Sequence, residues 1–191
     1  MIKVADITFG RLQSPDLDVA EEFLNDFGMV KVDRTSDRLF MRGTGTDPVI
    51  HITHLGASKF LGLGFRANSM EDLEKATRLD GASAIEDLEA PGGGKVVRLT
   101  DLHGYLVEIV CGQEQVEEIH VPRMKINSVD NQDVRTGELM RLPQGPSHVK
   151  RAGHAIIMTT DLRGATKWYR ENLGLVSSDE VYVEGDKEKV I

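Results

Sequence analysis

The chain has almost no cysteine: Cys111 is the only one in 191 residues. A single thiol forms no internal disulfide, and it excludes a zinc site built on cysteine pairs. A reducing cytoplasm is the default compartment. The chain also lacks any apolar run of the about 18 residues that a membrane span needs. Its start, MIKVADITFG, reads as a strand and lacks the basic-then-apolar layout of a signal peptide. There is no run of lysine or arginine, and the formal charge is −8. Such a chain repels phosphate backbones, which argues against nucleic acid as a partner; membrane is likewise not expected.

What remains is a soluble globular balance, 40% apolar and 28% charged. The length suits one domain with a real core, or one domain plus part of another. Phe9-Gly10-Arg11-Leu12, followed by Asp16-Leu17, Ala20 and Phe23-Leu24, returns as His154-Ala155-Ile156-Ile157, Asp161-Leu162, Ala165 and Trp168-Tyr169. The offset is constant at 145 residues. Each copy then closes on a glycine, Gly28 and Gly174, with a one-residue gap.

Each copy has a physical reading. Residues 2–13 and 151–160 alternate or run apolar with β-branched residues, which predicts strands. Asp16 and Asp161 stand where a helix N-cap is wanted. Leu17, Ala20, Phe23, Leu24 and Phe27 make one helical stripe, as do Leu162, Ala165, Trp168, Tyr169 and Leu173. Gly28 and Gly174 suit the left-handed residue past a helix end.

A fainter repeat divides the first part. A strand, a helix over 17–27 and strands near 29–35, 38–42 and 48–54 are followed by a second series. That series is a strand over Phe60–Ala67, a helix from Ser69 through Leu73 and Ala76 to Leu79 with Gly81 after it, and strands near 82–88, 95–100 and 105–110. The expected fold class is α+β, with paired βαβββ units forming a cupped mixed sheet, helices outside, plus an incomplete third unit. Residues 1–112 form the first domain, 113–150 a Pro/Asn-containing linker, and 151–191 the start of a second domain. In that second part, one strand, one helix and short strands at Val176–Ser178 and Val181–Glu184 are expected, and the pattern is still in progress at Ile191.

The motif His154-x6-Asp161-Leu162-x2-Ala165-x2-Trp168-Tyr169-x4-Gly174-Leu175 resembles the opening of a unit in the vicinal oxygen chelate superfamily. That superfamily includes glyoxalase I, bleomycin-resistance proteins and type I extradiol dioxygenases. Asp101-x2-Gly104-Tyr105-Leu106-Val107-Glu108 resembles the closing strand of a unit pair, where a glutamate ligand commonly sits. The order of a first pair without histidines at the ligand positions, a Pro/Asn-rich linker and a second copy resembles the two-domain extradiol dioxygenases most closely.

The resemblance implies ring cleavage of a small aromatic diol at Fe(II) or Mn(II), held by two histidines and a carboxylate. His154 matches the first histidine, and Glu108 is a weaker metal candidate. The other ligands of the second copy are expected beyond Ile191. Fe(II) or Mn(II) therefore belongs to a chain with a complete second copy, and no metal need be bound without it. In the first copy Phe9 stands at the His154 position and Gly62 near the second-histidine position, so that copy is expected to be a non-metal partner. A homo-oligomer is expected, since units of this superfamily can pair between chains.

Other residues carry less. His51 and His54 lie three apart on a strand and so face opposite sides. His103 falls in a turn, and His120 and His148 in the linker. Gly92-Gly93-Gly94 joins two strands and predicts a hairpin rather than a phosphate cradle. Cys111 reads as a packed strand residue, and Glu114, Glu117 and Glu118 as a solvated face. Two further readings stand beside the dioxygenase. One is a metal-free small-molecule binding protein of the bleomycin-resistance type, with its ligand in the cup of residues 1–112. The other is an inactive fragment with unpaired edges open to self-association.

Overall fold

A computed structural model describes residues 2–122, 126–134, 137, 144–179, 181–183 and 186–190. The elements are β1 (Val4–Ser14), α1 (Leu17–Phe27), β2 (Val30–Arg34), β3 (Arg38–Arg42), β4 (His51–Leu55), β5 (Lys59–Ala67), α2 (Met70–Ala76), β6 (Glu86–Asp87), β7 (Lys95–Thr100), β8 (Leu106–Cys111), α3 (Leu162–Leu173), β9 (Tyr182–Val183) and β10 (Asp186–Val190). Eight strands make one mixed sheet in the order β2-β3-β4-β1-β5-β8-β7-β6. The order shows two halves meeting at the antiparallel β1/β5 pair, each with its own parallel pair, β1/β4 and β5/β8. This is the α+β architecture of two βαβββ units joined edge to edge.

Local chemistry accounts for the helices. Asp16 accepts the N–H groups of Asp18 and Val19 at the start of α1. Gly28 ends that helix at φ 104°, a left-handed conformation costly for residues with a Cβ. The same pair of signals brackets α3, with Asp161 capping Gly164 and Gly174 at φ 72°.

Alternation along the strands separates two apolar layers. On the helix-bearing face, Leu39 and Met41 meet Leu17 and Leu24 of α1. Leu63, Phe65, Val97, Leu99, Val107 and Ile109 meet Leu73 and Ala76 of α2 on that same face. Phe9, Phe40, Val49, Ile52, Leu88, Val96 and Val110 pack together without a helix residue, on the inside of the cup.

Several sequence expectations are sharpened. The stripe on α1 is only half used: Leu17 and Leu24 are buried, whereas Phe23 and Phe27 are 63% and 55% exposed. They lie on the edge of the stripe that the sheet does not reach. The strand expected near 82–88 shortens to Glu86–Asp87, and Gly92, Gly93 and Gly94 all have positive φ in the turn to β7. Residues 113–150 do not hang free at their ends. Val116 and Ile119 donate to Thr46 and Thr44, and Thr44 and Gly45 donate to Val149 and Lys150.

The expected strand over 151–160 does not form. No strand lies beside it among the described residues, and a strand needs a neighbour for its N–H and C=O groups. Instead α3 lies against the helix-bearing face of the eight-stranded sheet, with Leu173 fully buried among Ile2, Leu63 and Phe65 and their neighbours. Residues 176–178 also form no strand. Val181–Glu184 is represented by β9, paired with β10, while Glu184 lies outside the described residues.

Candidate functional site

The inside of the cup carries a buried ionic cluster. Glu108, on β8, is 1% exposed. Its Oε2 accepts from Arg11 Nε at 2.7 Å, and its Oε1 accepts from Arg11 Nη2 at 3.1 Å and Arg98 Nε at 3.0 Å. Arg11 is two residues beyond Phe9 on β1, and Arg98 is the direct β7 partner of Glu108. Arg98 also pairs with Glu86. Arg11 Nη1 donates to His54 Nε2 at 2.7 Å, so His54 is neutral with its proton on Nδ1. Burial lowers the pKa of His54, with the Arg11 charge adding to the effect.

The sheet geometry fixes what else fits there. Gly64, on β5, faces Phe9, and a Cβ on Gly64 would stand 2.6 Å from the Phe9 ring. A Cβ on Gly62 would run into the carbonyl oxygen of Leu106. The position of the second expected histidine therefore has no room for a side chain of any kind. Phe9 occupies the position of the first, and Glu108 already has two guanidinium partners. A carboxylate so neutralised is a poor ligand for a divalent ion.

His51 and His54 do face opposite sides. His54 meets Arg11, whereas His51 Nε2 lies 2.9 Å from Thr53 Oγ1. Burial pushes the His51 pKa down to about 4. His103 sits in the turn after β7, as expected, and its Nε2 pairs with Thr159 Oγ1. Cys111 is half-buried at the end of β8. Among the described residues no three histidine, cysteine or acidic side chains come together as a metal site.

His154 is not brought near Glu108. It is exposed, and it lines a groove of about 530 Å³ on the helix-bearing face, between the sheet and residues 154–175. Ile156 and Met158, which alternate with His154 along the chain, are 86% and 85% exposed. Ile157, on the alternate side, packs against the core.

The groove contains a second buried carboxylate. Asp101 is 5% exposed. Its Oδ1 accepts the N–H groups of His103 and Tyr105 at 2.8 and 2.9 Å, and its Oδ2 accepts the Tyr169 hydroxyl at 3.0 Å. Burial and the Asp101 charge raise the Tyr169 pKa, so the phenol keeps its proton.

Sequence reasoning missed Arg11, Arg98 and Tyr169 as site residues. Arg11 had a legible signal, since it shares a strand face with Phe9. The Arg98–Glu108 pairing had one too, in the β7/β8 hairpin. Nothing in the sequence placed Tyr169 against Asp101.

No family model matches the chain, and no curated protein matches it significantly. Solved structures do. The Mn(II)-bound glyoxalase from Novosphingobium aromaticivorans is 17% identical, with a TM-score of 0.58 over 70% of this chain and 51% of that one. Homoprotocatechuate 2,3-dioxygenase from Brevibacterium fuscum, in an anaerobic complex with 3,4-dihydroxyphenylacetate, is 19% identical, with a TM-score of 0.56 over 63% of this chain and 40% of that one. The dioxygenase of the same name from Arthrobacter globiformis is 17% identical, with a TM-score of 0.53 over 61% and 38%. The chain thus spans about half the length of these proteins or less. The fold is shared with extradiol dioxygenases and a glyoxalase.

Proposed function

We propose that this protein serves extradiol-type ring cleavage of catechol-like aromatics in the cytoplasm, with residues 1–112 as the metal-free partner domain. The observation that carries this reading is the filled cup. The Arg11–Glu108–Arg98 cluster and the Phe9–Gly64 contact stand where a ligand set would be. The order of a blank first pair followed by His154 at the opening of a second copy supports it as well, as does the shared fold.

On this reading His154 is a metal ligand for Fe(II) or Mn(II) in a complete second unit pair, and the protein assembles as a homo-oligomer. The residues described here do not fit a metal by themselves, so the first domain's part is structural. It presents a rigid, closed sheet against which a second unit pair is built. A metal-free binding protein of the bleomycin-resistance type would need the cup open. Phe9, Phe40, Ile52, Val96 and Val110 fill it.

The test is oxygen uptake with 3,4-dihydroxyphenylacetate and added Fe(II) or Mn(II), on a chain that carries a complete second pair. The activity should fall to background in His154→Ala. Turnover that does not change on that substitution overturns the reading.

A further inference from the structure

Asp101 has no role in the ring-cleavage reading, and its electrostatic position is unusual. It is almost fully buried, yet it makes no ion pair with lysine or arginine among the described residues. Its partners are two backbone N–H groups and one phenol, all neutral. Burying a carboxylate without a cation is costly, and three neutral donors offset only part of that cost. Oδ1 is taken by the two backbone donors that shape the 101–105 turn. Oδ2 has accepted one bond, from Tyr169, and retains acceptor capacity.

The surroundings define what would complete it. Asp101 lines the groove of about 530 Å³ together with Ile7, Leu63, Phe65, Ile157 and Tyr169. The Phe65 and Tyr169 rings stand 6.4 Å apart at 56°, offering aromatic surface next to the carboxylate. Asp6 and Asp101 are the carboxylates on the groove wall, and His103, His154 and Tyr169 its other titratable side chains; among the described residues no lysine or arginine lines it. Asp6 is matched by Arg151 at 3.1 Å, which leaves Asp101 as the groove carboxylate with no lysine or arginine partner among the described residues. An apolar pocket with one buried anion and aromatic walls repels carboxylates and attracts an ammonium on an apolar body.

We infer that this groove binds a small aromatic amine, with its ammonium on Asp101 Oδ2 and its ring against Phe65 and Tyr169. The site lies on the face of the sheet opposite the Glu108 cluster, and because His154 lines the same groove, the inference concerns the 191-residue chain in the arrangement described here.

The chain supplies its own reporter. Trp168 is the only tryptophan, and its ring lies 4.9 Å from that of Tyr169. Titration of the 191-residue protein with 2-phenylethylamine should give a saturable change in Trp168 emission, whereas phenylacetate, the same ring with the opposite charge, should give none. Asp101→Asn keeps an oxygen for the two turn N–H groups and removes the charge. It should weaken the amine by about tenfold or more. Tyr169→Phe keeps the ring and frees Oδ2, so it should retain amine binding. Circular dichroism checks that each variant is folded. If Asp101→Asn is misfolded, the phenylacetate comparison on the unchanged protein decides. Equal response to both probes, no response to either, or undiminished amine affinity in folded Asp101→Asn would overturn the inference.

Discussion

At the scale of single residues, Glu108 is the most consequential side chain in the molecule. It is a buried carboxylate held by two guanidinium groups, and its removal leaves Arg11 facing a buried space with no anion. Breaking such a pair from one side typically costs about 3–5 kcal/mol. Glu108→Ala should therefore lower unfolding free energy by about that amount in urea, with Arg98→Met costing less because Arg98 is partly exposed and also pairs with Glu86. His51 supplies a pH signature. Its folded pKa of about 4 lies below the ordinary histidine value of 6.5, so the unfolded chain takes up the proton first. Its contribution is complete above about pH 6.5 and is lost as the pH falls towards 4. His51→Gln should flatten the acid limb of stability between those values. An unchanged limb in thermal melts across that window would show that His51 is accessible to protons in the folded state.

At the scale of elements, glycines decide how closely the strands approach. Gly62 and Gly64 alternate with Leu63 and Phe65 on β5, so over these four residues the helix-bearing side is apolar and the cup side carries no side chain. Gly62→Ala would set a methyl group against the Leu106 carbonyl in the β5/β8 pair. The expected cost is about 3 kcal/mol or more, the upper end for overpacking. Gly10→Ala is the control, because its new Cβ would meet Leu12 at 3.7 Å, an ordinary contact. Thermal melts of the two variants should separate widely, and equal melting points would contradict the packing described here.

Much of this element order is legible in the sequence. Asp16 with Gly28, and Asp161 with Gly174, mark helix ends by chemistry that needs only near neighbours. Alternation marks the longer strands for the same reason. The failure at 151–160 is of another kind. Its apolar pattern is strand-like, but a strand is a pairwise structure and the pattern cannot say whether a partner is there. The exposed Phe23 and Phe27 show the same limit: a helical stripe reveals which residues could be buried, not how wide a surface meets them.

At the scale of the whole molecule, two half-sheets close on each other at β1/β5, and a third helix covers the face they share. The site is less legible than the fold because its parts come from distant strands. Arg11 and Glu108 are 97 residues apart, and Asp101 and Tyr169 are 68 apart. Glu108 is readable as the closing-strand carboxylate and Arg98 as its hairpin neighbour, but nothing local ties Arg11 to Glu108, because β1 reaches β8 only through β5 in the sheet.

The proposed function makes the eight-stranded module a metal-free partner domain. Its most direct test is the metal content of the purified chain after incubation with Fe(II) or Mn(II) and gel filtration, compared between the unaltered protein and Glu108→Gln. A carboxylate already neutralised by two guanidinium groups should bind no metal of its own, so the two should match. One equivalent of metal in the unaltered protein, lost in Glu108→Gln, would contradict it.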